Sequence, residues 1–235
     1  MWKGNLLSAG SNAKTVKGDG SEYVTAIMYL TPWKSAGINT CPMAEQAKCI
    51  DGCLNTAGRG AFNSVQAGRA RKTQWYASDR EGFMSQLFKD IQGFVKFCSK
   101  LGVVPCVRLN GTSDIRWELI KVGGFANIFE AFPMVQFYDY TKIANRKIKV
   151  TNYHLTWSYS GASEAYAKQH AIAKVNGLNI AVVWRKVSSI PTEYLGLPVV
   201  DGDKDDLRFL DPKGVVVALY AKGKAKRDTS GFVIN

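Results

Sequence analysis

Short apolar runs alternate with longer, more polar stretches along most of the chain. The first run, residues 22–31, is rich in β-branched and aromatic side chains, which is typical of a β-strand. Further strand-like runs lie at residues 103–109, 134–138, 153–157, 180–184, 198–200 and 215–220. Stretches with helical character separate several of these runs, for example at 115–121 and 161–175. This alternation predicts a parallel β-sheet covered by helices.

The clearest helix is predicted from about residue 79 to residue 101, and an earlier helix is expected at 62–76. Ser78 and Glu81 have the spacing of a capping box, and Gly102 is a stop signal. Apolar residues repeat along the first of these helices with a period of 3.6, as on a buried helix face: Phe83, Met84, Leu87, Phe88, Ile91, Phe94, Val95 and Cys98.

No break in composition divides the chain, so we expect a single α/β domain over residues 1–235, with residues 1–20 irregular. A complete eight-unit barrel usually takes about 200–250 residues or more. The expected architecture is therefore a parallel-sheet barrel or a partial (β/α) barrel of the TIM-barrel kind. No stretch reaches the roughly 18 apolar residues of a membrane span, and no signal-peptide pattern opens the chain. We expect a cytoplasmic protein without a membrane partner.

The charge is strongly positive, with 31 Lys and Arg against 19 Asp and Glu, a net charge of +12. Such a surplus favours encounter with polyanions, so nucleic acid or a nucleotide is the expected partner. Between Leu54 and Ser78 there is no acidic residue. This stretch holds the predicted nucleic-acid-binding residues Arg59, Arg69, Arg71 and Lys72. The alternative is a solvated basic surface without a ligand.

Three of the five cysteines lie within thirteen residues, in the loop expected after the first strand. Cys41, Cys49 and Cys53 have the spacing Cys-x7-Cys-x3-Cys. Thiolates are soft ligands that suit iron–sulphur clusters and zinc. Three thiolates can hold a 4Fe–4S cluster and leave one iron open, whereas structural zinc needs a fourth protein ligand. Three cysteines without metal are the other alternative, and Cys98 and Cys106 belong to apolar patterns that predict structural roles.

Polar residues follow several predicted strands, where parallel α/β sheets place their sites. Asp114 follows one strand, and Asp139 and Lys142 belong to the end of the next. We expect these three to converge at one edge and to handle protons or hold a substrate. Asn110 and Ser113, in the turn before Asp114, are the candidate cofactor-binding residues. Aspartates at such positions also cap helices and turns, which is the structural alternative.

Several segments resemble the phage family known as gene product 88, and together they cover most of the chain. The segments are Asn39–Gly60, Arg108–Asp114, Gln136–Lys142 and the closing region Asp201–Phe232. This resemblance implies no settled activity. It places the expected cytoplasmic location in the host cell.

A weaker resemblance is to phage radical-S-adenosylmethionine proteins, which carry a cysteine triad soon after the N-terminal strand. Later strands in those proteins end in Ser-Asp and in Thr-Lys. The matching positions here are the triad Cys41, Cys49 and Cys53, then Ser113-Asp114, then Thr141-Lys142. The usual triad spacing is Cys-x3-Cys-x2-Cys, so the spacing here is wider. The resemblance implies an iron–sulphur enzyme that acts on a nucleotide or nucleic acid, with S-adenosylmethionine as a candidate cofactor.

Two other functions remain open. Phage DNA-modifying transglycosylases are zinc-bearing barrels that use two aspartates as base and nucleophile, and Asp114 and Asp139 are the candidates for those roles. Their tighter Cys-x-Cys-x2-Cys motif and later histidine are absent here. The third hypothesis is a non-catalytic nucleic-acid-binding protein whose cysteines only support a loop.

Overall fold

One β-sheet forms the centre of the protein in a computed structural model that describes residues 4–9 and 22–235. The strands are β1 Leu7–Ala9, β2 Tyr23–Met28, β3 Val104–Arg108, β4 Gln136–Thr141, β5 Tyr153–Ser158, β6 Asn179–Trp184, β7 Glu193–Tyr194, β8 Leu197–Asp201 and β9 Val216–Tyr220. The prediction of an irregular stretch at 1–20 is wrong for β1. Residues 1–3 and 10–20 of that prediction lie outside the described residues.

The strand order is β1-β2-β3-β4-β5-β6-β9-β8-β7. Strands β2 to β6 pair in parallel in the order of the chain, and β9 and β8 continue the parallel part. β1 and β7 pair antiparallel at the two edges. The predicted α/β class with a mostly parallel sheet is therefore confirmed. Within the described residues no pairing joins the two edges, so the sheet is open and a closed barrel is not formed.

Five α-helices are present in the described chain. They are α1 Asn63–Ser78, α2 Arg80–Leu101, α3 Ile128–Ala131, α4 Glu164–Ala167 and α5 His170–Val175. The two long helices agree with the predicted ones to within about two residues, whereas the helix predicted at 115–121 is only the short 3-10 turn Trp117–Leu119. None of the helices in this part of the chain is both long and apolar enough to cross a membrane.

Helix α2 begins at a different cap from the predicted one. Asp79 occupies the N-cap position, and its Oδ1 accepts a hydrogen bond of 2.8 Å from the backbone N–H of Gly82. Ser78 is the last residue of α1. The predicted capping box of Ser78 and Glu81 is therefore wrong, because the chain turns between the helices at Asp79.

Two apolar cores hold the helices against the sheet. Phe83, Leu87 and Ile91 of α2 are fully buried in the first core, together with Phe137 of β4. Burial of such side chains contributes about 1.5–3 kcal/mol each. The second core lies under the later strands and includes Trp157, Ile180, Trp184, Tyr166 and Ala173. These cores fix the strands whose carboxyl ends carry the site.

Candidate functional site

The cysteine loop connects β2 to α1 and lies at the carboxyl end of the parallel strands. Thr40 anchors its start, because its Oγ1 donates to the backbone oxygen of Thr31 at 2.7 Å and its own backbone oxygen accepts from Asp114 N–H at 2.8 Å. The Sγ of Cys41 lies 3.7 Å from the backbone oxygen of Thr112. The loop is thus joined to the turn that follows β3.

The three thiols of the loop are half-buried and influence one another electrostatically. Burial raises the pKa of Cys41 to about 12, and the charges of Cys53 and Asp114 add to this shift. Burial also raises the pKa of Cys53, with a further contribution from Cys49. Within the described residues, which include all three cysteines, no group of three or more His, Cys, Asp or Glu side chains has the arrangement of a metal site. The thiols are therefore neighbours that do not form a ready-made set of ligands.

Lys142 is a predicted catalytic residue that interacts electrostatically with Cys49 and Cys53. Its Nζ donates to the backbone oxygen of Tyr159 at 3.2 Å and lies 4.5 Å from the centre of the Phe232 ring. Burial lowers the pKa of this lysine, whereas Cys49 and the other nearby acidic groups oppose the shift. An ammonium group has three donors, so Lys142 can bind an anionic group as well as Tyr159.

Asp114 is buried and its carboxylate is fully engaged. One oxygen accepts from Thr141 Oγ1 at 2.9 Å and from an Arg146 Nη1 at 3.2 Å, and the other accepts from the backbone N–H of Lys142 at 2.7 Å. Burial raises the pKa of Asp114, and Arg146 opposes that shift. The contacts show a residue that fixes the end of β4 and thereby positions Lys142.

Asp139 has no solvent-exposed surface. Its oxygens accept from the backbone N–H groups of Leu109 at 3.3 Å and Asn110 at 2.9 Å, and from the Tyr153 hydroxyl at 3.2 Å. Burial raises its pKa to about 7. The predicted convergence at one edge therefore joins Asp114 to Lys142, while Asp139 lies deeper and holds the end of β3.

Asn110 and Ser113 are buried in the turn after β3, where their polar atoms bond within the turn. Asn110 Oδ1 accepts from Ser113 Oγ at 2.9 Å, from Ile115 N–H at 2.9 Å and from Trp117 Nε1 at 3.1 Å. These hydrogen bonds shape the turn, and the contact of Asn110 and Ser113 with a cofactor stays a prediction.

Two of the four predicted nucleic-acid-binding residues are buried. Arg69 donates from Nη1 to the backbone oxygen of Asn55 at 2.8 Å, and Lys72 donates to the backbone oxygen of Leu6 at 3.3 Å. Both lie on the stripe of α1 that faces the protein interior, so their predicted contact with nucleic acid is not supported by their exposure, and neither is the alternative of a solvated basic surface. Arg59 and Arg71 are exposed, as phosphate contact requires.

Arg146 is a site residue that the sequence reasoning did not identify. Its side chain is fully buried and pairs with Asp114, with Glu118 at 2.6 Å and with the Tyr153 hydroxyl at 3.1 Å. Through Tyr153 it connects Asp114 to Asp139. An arginine in an irregular segment carries no local pattern that distinguishes an inward from an outward side chain.

Comparison with curated proteins and comparison with solved structures found no match. The model of one protein family, described as gene product 88, matches residues 5–235. This match covers all but the first four residues, including the cysteine loop, the turn after β3 and the closing segment. It confirms the resemblance noted in the sequence, and the chain belongs to the gene product 88 family.

Proposed function

We propose that this protein is an iron–sulphur enzyme of the radical-S-adenosylmethionine-like type that acts on a nucleotide or nucleic acid. The observation that carries the proposal is the placement of one loop. Cys41, Cys49 and Cys53 are electrostatic neighbours, and Lys142 lies beside Cys49 and Cys53 at the carboxyl end of the sheet. This edge is where parallel α/β folds hold their ligands.

The strand order supports the same proposal. Strands β2 to β6 run parallel and in chain order, as in a (β/α) barrel, and the sheet is open. A partial barrel is the architecture that best describes this arrangement. The loop after its first parallel strand carries the cysteines, as the weaker resemblance implies.

The chemistry of the donor set fits a cluster that lacks one protein ligand. Three soft thiols are available, and the nearby basic groups, Arg69 and Lys142, cannot replace a fourth thiolate. The protonated thiols lose their protons when a metal binds, so the raised pKa of Cys41 is compatible with ligation. When bound, the cluster supplies an iron with an open position and one-electron chemistry.

The other residues have supporting roles in this proposal. Lys142 holds an anionic group of the cofactor or substrate beside the thiols. Asp114 orients Lys142 through its backbone N–H. Arg59 and Arg71 are exposed and bind phosphate groups of the substrate.

Metal analysis of protein purified without oxygen tests the proposal. We expect about four irons and four sulphides per chain, with a brown colour and absorption near roughly 400 nm, in the unaltered protein. Cys41→Ser should lose most of the iron. Cys98→Ala, which changes a cysteine buried in the α2 core, is the matched control and should keep it.

The same analysis separates the alternatives. A colourless protein without iron after anaerobic purification contradicts the proposal. About one zinc per chain without iron favours the transglycosylase-like function with Asp114 and Asp139, because a catalytic zinc is held by three protein ligands and a water. Salt-sensitive nucleic-acid binding that survives replacement of all three loop cysteines by serine, in protein without metal, favours a non-catalytic binding protein.

A further inference from the structure

A groove of about 400 Å³ opens beside the cysteine loop. Its walls come from the start of that loop, from the junction between α1 and α2, and from the turn after β3. The side chains that matter most are Thr40, Tyr76, Arg80, Asp114 and Arg116. The volume lies within the range of pockets that hold small ligands.

Arg80 is held in place on one wall of the groove. Its Nε donates to the backbone oxygen of Tyr76 at 3.1 Å, and its guanidinium carbon lies 3.8 Å from the centre of the Tyr76 ring. The ring is itself fixed, because it packs edge-on against Phe83 and Trp117. Among the described residues, no carboxylate pairs with Arg80. One face of the planar guanidinium therefore rests on tyrosine, and the opposite face is open for a ligand.

Arg116 supplies a second positive charge to the groove. Its side chain is 47% exposed, and its Nε lies 3.3 Å from Glu118 Oε1. Glu118 also pairs with buried Arg146 at 2.6 Å, so its charge is shared between two arginines. Asp114, the acidic residue of the lining, is likewise paired with Arg146 at 3.2 Å. The groove therefore keeps a net positive charge.

We propose that this groove binds single-stranded nucleic acid, with Arg116 on a phosphate and the open face of Arg80 against a base or the neighbouring phosphate. A planar cation on an aromatic ring beside a second arginine is suited to stacking and phosphate contact along a single strand. The proposal rests on the proposed function and specifies its substrate. Thr40 and Pro42, which line the groove, flank Cys41 in the chain, so the groove lies next to the cysteine loop.

Fluorescence anisotropy with a fluorescein-labelled single-stranded DNA of about eight nucleotides tests the proposal. For the double variant Arg80→Ala/Arg116→Ala we expect binding to weaken at least about tenfold, the effect of one lost stacking contact. The slope of log affinity against log salt should become shallower by about 0.7 where Arg80 stacks on a base, and by about 1.4 where Arg80 also contacts a phosphate, since each lost phosphate contact on a single strand removes about 0.7.

The matched control is Lys89→Ala/Lys96→Ala, which removes the same charge from exposed positions of α2. We expect this control to retain most of the affinity at low salt. Equal loss in the control and the double variant contradicts the proposal, and so does unchanged binding by the double variant. Loss confined to Arg59→Ala/Arg71→Ala, or tighter binding of a duplex of the same length, also overturns it.

Two parallel measurements separate this proposal from the proposed function. The iron content of each variant is measured alongside binding. If the unaltered protein binds DNA without containing iron, and Arg80→Ala/Arg116→Ala abolishes that binding, the result refutes the cluster and supports the groove. Thermal unfolding checks the fold of every variant. If the double variant is unfolded, the single variant Arg116→Ala, changed in an exposed turn, is tested in its place. We expect it to bind DNA about fivefold more weakly, and unchanged binding refutes the proposal.

Discussion

At the scale of single residues, the carboxylates near the site serve to hold strand ends. Asp114 and Asp139 are both buried, and Arg146 and Tyr153 connect them in one network. In a medium of low polarity, such a network is stable only while each member keeps its partners. The residue left with free donor capacity is Lys142, which lies beside the thiols. In the proposed function, Lys142 is therefore the residue that can bind a ligand, and the two aspartates support the ends of the strands.

The titration of Asp139 predicts a dependence of stability on pH. Burial raises its pKa to about 7, above the value in the unfolded chain. Between about pH 4 and 7 the folded protein holds a proton that the unfolded chain has lost, so its stability decreases as the pH rises through this window. We expect Asp139→Asn to remove part of this decrease. Urea denaturation at several values between pH 5 and pH 8 measures it.

The change in the free energy of unfolding caused by Asp139→Asn is a second measurement. An amide in place of the carboxyl directs its NH2 towards the N–H of Leu109 or Asn110, and an unpaired buried donor costs about 1–3 kcal/mol. The exposed residue Asp51 supplies the control Asp51→Asn, which should leave both the stability and the slope unchanged. Identical slopes for the unaltered protein and Asp139→Asn refute the prediction.

The sequence predicts some contacts at this scale and misses others for a physical reason. Asp114 and Lys142 follow neighbouring parallel strands, so their proximity follows from the fold class alone. Arg146 lies 32 positions after Asp114, in a segment without regular structure. Its burial depends on the simultaneous presence of Asp114, Glu118 and Tyr153, and no local sequence pattern around Arg146 predicts these partners.

At the scale of elements, α1 differs from an ordinary amphipathic helix. Its buried stripe consists of Gly68, Arg69, Lys72, Thr73 and Tyr76, at the spacing of one helix face. An apolar stripe identifies the buried face of α2, but the polar stripe of α1 suggests an exposed basic surface. The partners of this stripe are backbone atoms of distant loops, such as Asn55 O and Thr31 N–H. The polar side chains of α1 therefore hold the backbone of the segments that carry the cysteine loop.

The role of α1 predicts unequal effects for two arginines two positions apart. Arg69→Ala leaves the buried backbone oxygen of Asn55 without its charged donor, so we expect a loss of about 2–3 kcal/mol in the free energy of unfolding. Arg71→Ala on the exposed side of the same helix should change it by less than about 0.5 kcal/mol. Urea denaturation of both variants measures the difference, and equal losses contradict the interpretation.

The start of α2 supplies another prediction. Asp79 caps this helix, so Asp79→Ala should cost about 1 kcal/mol of stability. Ser78→Ala removes only a long contact of 3.5 Å to the backbone oxygen of Trp75 and should have little effect. Thermal unfolding of the two variants decides between the observed cap and the capping box read from the sequence. A larger loss for Ser78→Ala refutes the assignment.

At the scale of the whole molecule, the last residues of the chain pack against the cysteine loop and close one side of it. Ser230 Oγ donates to the backbone oxygen of Lys48 at 3.2 Å, and Ile234 pairs with Trp184 beside β6. Phe232 lies under the loop, since a Cβ added at Gly52 would be 3.0 Å from its ring. The strand pattern in the sequence predicts the fold class. It does not predict this closure, which joins segments 182 positions apart.

Phe232 is the residue through which this closure can be tested. Phe232→Ala removes a buried ring from beside Gly52 and Lys142, and we expect a loss of about 3–5 kcal/mol in the free energy of unfolding. The loop should also open more often, so that Cys49 and Cys53 react about tenfold faster with a thiol reagent. Mass spectrometry of the labelled peptides identifies which cysteines react. Phe97→Ala, in α2, should leave that rate unchanged, because this ring is half exposed to solvent and is not among the residues of the α2 core. Equal labelling rates for the loop cysteines in Phe232→Ala and the unaltered protein mean that the closing segment does not control access to the thiols.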